Sequence, residues 1–152
     1  MEVFIKQFYD NNRKFYFLTS DGILDPLGES QITPYLYGLS KKYNLKIFSF
    51  EKQENIKNTK FINNVKEKLA KHKIKWKYYK YHNNKILKLI EYIKANIYIN
   101  TLIILDKKII FHLRSYPIGI LLFPLIILLK LNIIFDMRGF WINERMDRNN
   151  LK

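Results

Sequence analysis

Cysteine is absent from this chain of 152 residues, which excludes disulfides and thiolate metal sites and is compatible with a reducing compartment. The N-terminal stretch Met1-Glu2-Val3-Phe4-Ile5-Lys6-Gln7 has no apolar core, so no secretory signal is expected. The apolar run Ile118–Leu129 covers about 12 residues, short of the roughly 20 that a spanning helix needs, and Pro124 and Lys130 interrupt it. Internal repeats and low-complexity linkers are lacking. Acidic residues are few: 13 against 27 Lys and Arg, a net charge of +14. That balance predicts attraction to anionic lipid or nucleic acid. The nucleic-acid branch is weak. Lys71, Lys73, Lys75, Lys77 and Lys80 interleave with Trp76, Tyr78 and Tyr79, but strand alternation separates most of these aromatics from the lysines.

Apolar residues, at 48%, are plentiful enough for one domain with a real core. Residues 1–13 read as a polar lead-in and 14–152 as the domain. Strands are expected near 14–19, 45–50, 74–79, 109–113 and 132–136. Helices are expected from Gln31 to Lys42, over 56–71, from Ile86 onward and over 116–130. The first carries Ile32, Tyr35, Leu36 and Leu39 on one face, with Pro34 in its first turn and Ser30 or Thr33 as its cap. The third shows a stripe of Ile86, Leu87, Leu89, Ile90, Ile93 and Ile97 opposite Lys85, Lys88, Glu91 and Lys94. Ile97–Leu105 either continues this helix or forms a strand. Strands alternating with helices predict an α/β fold: a Rossmann-like, doubly wound parallel sheet in the order 3-2-1-4-5.

Three segments carry chemistry, and each begins where a β-rich run stops. The first is Thr19-Ser20-Asp21-Gly22-Ile23-Leu24-Asp25-Pro26-Leu27-Gly28-Glu29-Ser30-Gln31. A strand, a glycine-bearing loop and a helix N-terminus together make an anion site, with Gly22 and Gly28 admitting a ligand to the backbone and N–H groups near Ser30 and Gln31 as donors. Its spacing is neither a Walker loop nor Gly-x-Gly-x-x-Gly. An ordinary strand–helix turn is the plain alternative. The second segment is His112-Leu113-Arg114-Ser115-Tyr116-Pro117, and the third runs from Asp136 to Asp147. A guanidinium at a strand end holds phosphate or carboxylate through two hydrogen bonds, which makes Arg114 and Arg138 candidate contacts. His112 and Asp136 are candidates with structural alternatives, a packed histidine and an ion pair fixing the loop. Phe140 and Trp141 would stack on a ligand or fill the core, and Glu144 follows them in sequence. In a parallel sheet all three segments leave from one edge, where open α/β folds bind ligands.

Taken in order, these segments resemble the N-terminal, acceptor-side domain of glycosyltransferase family 4. The matching residues are Asp25-Pro26-Leu27-Gly28-Glu29-Ser30-Gln31, His112-Leu113-Arg114-Ser115-Tyr116, and Phe135-Asp136-Met137-Arg138-Gly139-Phe140-Trp141 followed by Glu144-Arg145. Asn143 stands where an acid is expected, and Glu29 where glutamine is common. The resemblance implies a GT-B architecture of two Rossmann-like domains in chains about twice this length. This chain would be the N-terminal half, from a truncated or split reading frame, and a separate C-terminal domain would hold the nucleotide sugar. The implied function is transfer of a sugar, with retention, from a nucleotide-sugar donor to a glycan or lipid-linked acceptor in cell-envelope glycan biosynthesis. The half alone would be inactive. Gly22, Gly28, Ser30, Gln31, His112, Arg114, Asp136, Arg138 and Glu144 would contact substrate. No catalytic residue is assigned, and no cofactor or metal is indicated. The expected location is the cytoplasm, at the inner face of a membrane. A small basic membrane-associated protein and a nucleic-acid-binding module stand as alternatives.

Overall fold

The computed structural model describes residues 13–105 and 108–137. Five strands form one parallel sheet: β1 (Lys14–Thr19), β2 (Asn44–Lys52), β3 (Lys75–Tyr81), β4 (Ile110–Arg114) and β5 (Asn132–Asp136). Their order is β3-β2-β1-β4-β5, as the alternation predicts. The helices are α1 (Thr33–Ser40), α2 (Gln53–Lys57), α3 (Thr59–Lys71), α4 (Lys85–Leu105) and α5 (Tyr116–Leu129).

The inner strands β1 and β4 are buried on both faces, which is why β1 reads as consecutive apolar residues rather than an alternating pattern. On one face Phe15, Phe17 and Ile47 pack under Ile32 and Leu36 and under Ile62, Val65 and Leu69 of α3. On the other, Leu18, Phe48 and Phe111 pack under Ala95, Ile99 and Ile103 of α4 and Ile118 and Leu122 of α5. The crossovers from β1 to β3 therefore cover one face, and those from β3 to β5 the other. The reversal falls between β1 and β4.

Four local expectations change. The chain is already helical at Pro26, five residues before Gln31. A π-helical turn, Gly28–Ile32, leads into α1, with the Thr33 N–H and hydroxyl both donating to the Gly28 carbonyl. Pro34 lies in the first turn of α1 as expected, but it has no N–H, and its ring crowds the carbonyl four residues back. The widened turn just before it accommodates both demands. Ser30 is consequently no cap; its hydroxyl donates to the Pro26 carbonyl at 2.8 Å.

The helix expected over 56–71 is two helices. Asn58 breaks it and accepts the Phe61 N–H at 3.1 Å, an N-cap. Residues 97–105 continue α4. The apolar stripe read on α4 faces outward: Ile86 is 70% and Ile97 60% exposed. The buried stripe is Ala95, Ile99 and Ile103. The helix carries two apolar stripes, and the sheet takes the one nearer its C-terminal half. Finally, β2 runs on to Lys52 and draws Glu51 into the sheet.

Candidate functional site

Register brings the three strand ends level. Thr19 of β1 pairs with Arg114 of β4, which pairs with Asp136 of β5. Alternation then puts Ile110, His112 and Arg114 on the α1 face. There the His112 ring stands edge-on to Phe17, with centroids 4.9 Å apart, and to Tyr35 at 5.5 Å. Gln31 and Tyr35 lie one helical turn apart and reach the same strand ends.

The resulting cluster is continuous. The Arg114 Nη2 donates to Gln31 Oε1 at 3.2 Å, and its Nη1 is 3.6 Å from Asp136 Oδ2. His112 Nδ1 is 3.1 Å from the Tyr35 hydroxyl, and Nε2 is 4.0 Å from Asp136 Oδ2. Two buried nitrogens, His112 Nε2 and Arg114 Nε, have no hydrogen-bond partner among the described residues. Burial holds the His112 pKa below that of an ordinary imidazole; Asp136 opposes the shift and Arg114 adds to it. The ring is therefore neutral at neutral pH. Burial, followed by the Asp136 charge, raises the Tyr35 phenol, so Tyr35 stays protonated and hydrogen-bonds as a hydroxyl. The edge thus offers a cation, a carboxylate, a neutral imidazole and a phenol hydroxyl within one cluster. That chemistry suits a ligand rich in hydroxyls or bearing an anion.

The loops after β1 and β4 are tied across the reversal point. The Ser20 hydroxyl donates to Ser115 Oγ at 2.8 Å. Ser115 has φ 114° and ψ 147°, a region close to glycine-only. That strain sits at the end of β4, between Arg114 and the first residue of α5.

Gly22 and Gly28 are both buried, and protein atoms fill the space beside them. A Cβ on Gly22 would lie 2.5 Å from Glu51 Oε2. One on Gly28 would lie 2.5 Å from Ile23 Cα and against the Gly22 carbonyl. The loop therefore closes on the helix start and on Glu51. The Glu51 side chain accepts the N–H groups of Ile23 at 2.8 Å and Leu24 at 3.2 Å. These two backbone donors lie in the glycine loop itself, upstream of the Ser30 and Gln31 N–H groups expected to meet a ligand.

Of the residues singled out in the sequence, the fold gathers Gln31, His112, Arg114 and Asp136. Gly22 and Gly28 shape the adjoining loop. Ser30 is exposed and turned to Pro26, and its N–H and that of Gln31 lie inside the helical segment rather than at its start. Arg138 and Glu144, with Phe140 and Trp141, lie outside the described residues. Tyr35, Ser20, Ser115 and Glu51 were missed. The spacing of Tyr35 from Gln31 was a usable signal, as was an acid directly following an apolar strand. Among the described residues no group of three His, Asp or Glu could hold a metal ion, and no helix is long and apolar enough to cross a membrane.

Geometry and topology define a Rossmann-like α/β domain with a polar cluster at its switch point. No known protein family, curated protein or solved structure matches the chain.

Proposed function

We propose that this chain is the acceptor-side domain of a GT-B glycosyltransferase, working opposite a C-terminal domain that binds the nucleotide sugar. One observation carries the reading. Gln31, His112, Arg114 and Asp136 come from three sequence segments picked out separately, and they converge at one strand edge, at the reversal between β1 and β4. In this reading Arg114 and Asp136 bind and orient an acceptor hydroxyl or a phosphate, with Arg138 and Glu144 extending the contact. The Tyr35–His112 pair lines the floor. Catalysis rests on positioning and on cations beside the departing diphosphate.

A second observation favours work at an anionic membrane surface. The outward stripe of α4, with Ile86, Leu89, Ile93 and Ile97 exposed beside Lys85, has the pattern of an interfacial helix.

The test is an amide-shift titration of the isolated chain with a nucleoside-diphosphate sugar and with a short oligosaccharide. The expected result is binding of about millimolar strength, with shifts at Ser20, Gln31, His112 and Ser115, and no sugar transfer. Arg114→Ala abolishes those shifts. Turnover by this chain alone, or shifts confined to the opposite sheet edge, refutes the proposal.

A further inference from the structure

Glu51 is completely buried, with 0% of its surface exposed, at the C-terminal end of β2. Nothing in the cluster of Arg114, His112 and Asp136 uses it. The hydrogen bonds to its carboxylate all come from donors, and the Asp25 charge lies nearby. Oε1 accepts the Ile23 N–H at 2.8 Å and the Ser49 hydroxyl at 2.5 Å, and Oε2 accepts the Leu24 N–H at 3.2 Å.

The Trp76 indole can only donate, and it donates to Ser49 Oγ at 2.9 Å. The Ser49 hydroxyl that takes this N–H donates in turn to Glu51 Oε1. A carboxylate satisfies all three donors, and these bonds oppose the upward push on its pKa that burial and the Asp25 charge exert. Two consecutive backbone N–H groups converging on one anion form the concavity that open α/β folds use for phosphate.

We propose that Glu51 is a resident anion: its carboxylate fills the backbone nest of the loop after β1 and positions that loop for the site. It follows that a phosphate arriving at this sheet edge does not bind the Ile23 and Leu24 amides. The cation available to it among the clustered residues is Arg114. Gly22 belongs to the same device, since its lack of a side chain leaves room for Glu51 Oε2. Glu51 is a positioning residue, and the inference stands whichever ligand the site takes.

Chemical rescue tests it. In the full chain carrying Glu51→Ala, amide exchange at Ile23 and Leu24 should quicken about tenfold or more, because hydrogen bonds to a charged group are among the stronger ones, while Phe17 and Leu18 in β1 stay protected. Added acetate should restore the slow exchange, and acetamide, of the same shape but uncharged, should not. In the unaltered protein, inorganic phosphate should leave the Ile23 and Leu24 resonances in place. Rescue by acetamide as complete as by acetate would reduce Glu51 to a space-filler and overturn the proposal. So would unchanged exchange in Glu51→Ala, or phosphate shifting the two amides of the unaltered protein. If Glu51→Ala does not fold, the near-isosteric Glu51→Gln takes its place. Faster exchange confined to residues 22–28, with a displaced Trp76 indole N–H resonance as Ser49 reorients, supports the proposal. Unchanged loop exchange and an unmoved indole signal overturn it.

Discussion

Two glycines lie within the same helical segment, and alanine at each should shift stability in opposite directions. Gly38 is exposed in α1, and a Cβ there meets nothing within 4 Å. Gly38→Ala should therefore stabilise by roughly 0.5–1 kcal/mol, the usual helix preference of alanine over glycine. Gly28 gains the same preference, but its Cβ would sit 2.5 Å from Ile23 Cα and 2.7 Å from the Ile23 carbonyl carbon. Those neighbours are backbone and cannot turn aside as a side chain would. Overpacking costs about 1–3 kcal/mol, so after the helix gain Gly28→Ala should lose roughly 1–2 kcal/mol. For a chain of this length each kcal/mol moves the melting temperature by about 2–4 °C. The variants should straddle the parent protein, separated by several degrees. Thermal and urea unfolding followed by far-ultraviolet circular dichroism read this directly. If Gly28→Ala proves as stable as Gly38→Ala, the close packing of the helix start on the Gly22–Ile23 loop is wrong, and with it the placement of that loop.

The two faces of α4 are separable by truncation: Ile99→Ala, in the core, should cost roughly 2–5 kcal/mol, and Ile97→Ala, pointing outward, should stay within about 0.5 kcal/mol in urea unfolding. Lys73, two residues beyond the end of α3, has φ 57°, so Lys73→Gly should raise stability by about 1 kcal/mol in the same assay. His112 has a folded pKa below 6.5, so its contribution should be full above about pH 6.5 and fade as pH falls through the folded value; His112→Gln should flatten that part of the stability profile. Glu51 is raised above 4.5, chiefly by burial, so it tilts the profile the other way: its contribution is full below about pH 4.5 and fades as pH rises through the folded value, and Glu51→Gln should remove that slope.

Strand order and the edge bearing the candidate cluster were legible in the sequence because both depend on local signals. Phe15–Leu18, Ile109–Phe111 and Asn132–Phe135 each end in turn formers or charge, and parallel strands with right-handed crossovers permit few arrangements. Gln31, His112, Arg114 and Asp136 could thus be named before their contacts were known. Three things were decided only in the folded chain. The start of the first helical segment moved to Pro26, because Pro34 is tolerated through a π turn that one-dimensional capping rules do not include. The apolar face of α4 was read as Ile86–Ile97, but Ala95–Ile103 repeats at the same spacing, and contact with Phe48 and Phe111 selects the second stripe. The loop after β1 was read as open to a ligand, yet Glu51, 28 residues from Ile23, supplies its anion from the neighbouring strand. Periodicity reports what one segment can bury; only the packed sheet brings Glu51 to Ile23 and Leu24, and Tyr35 to His112.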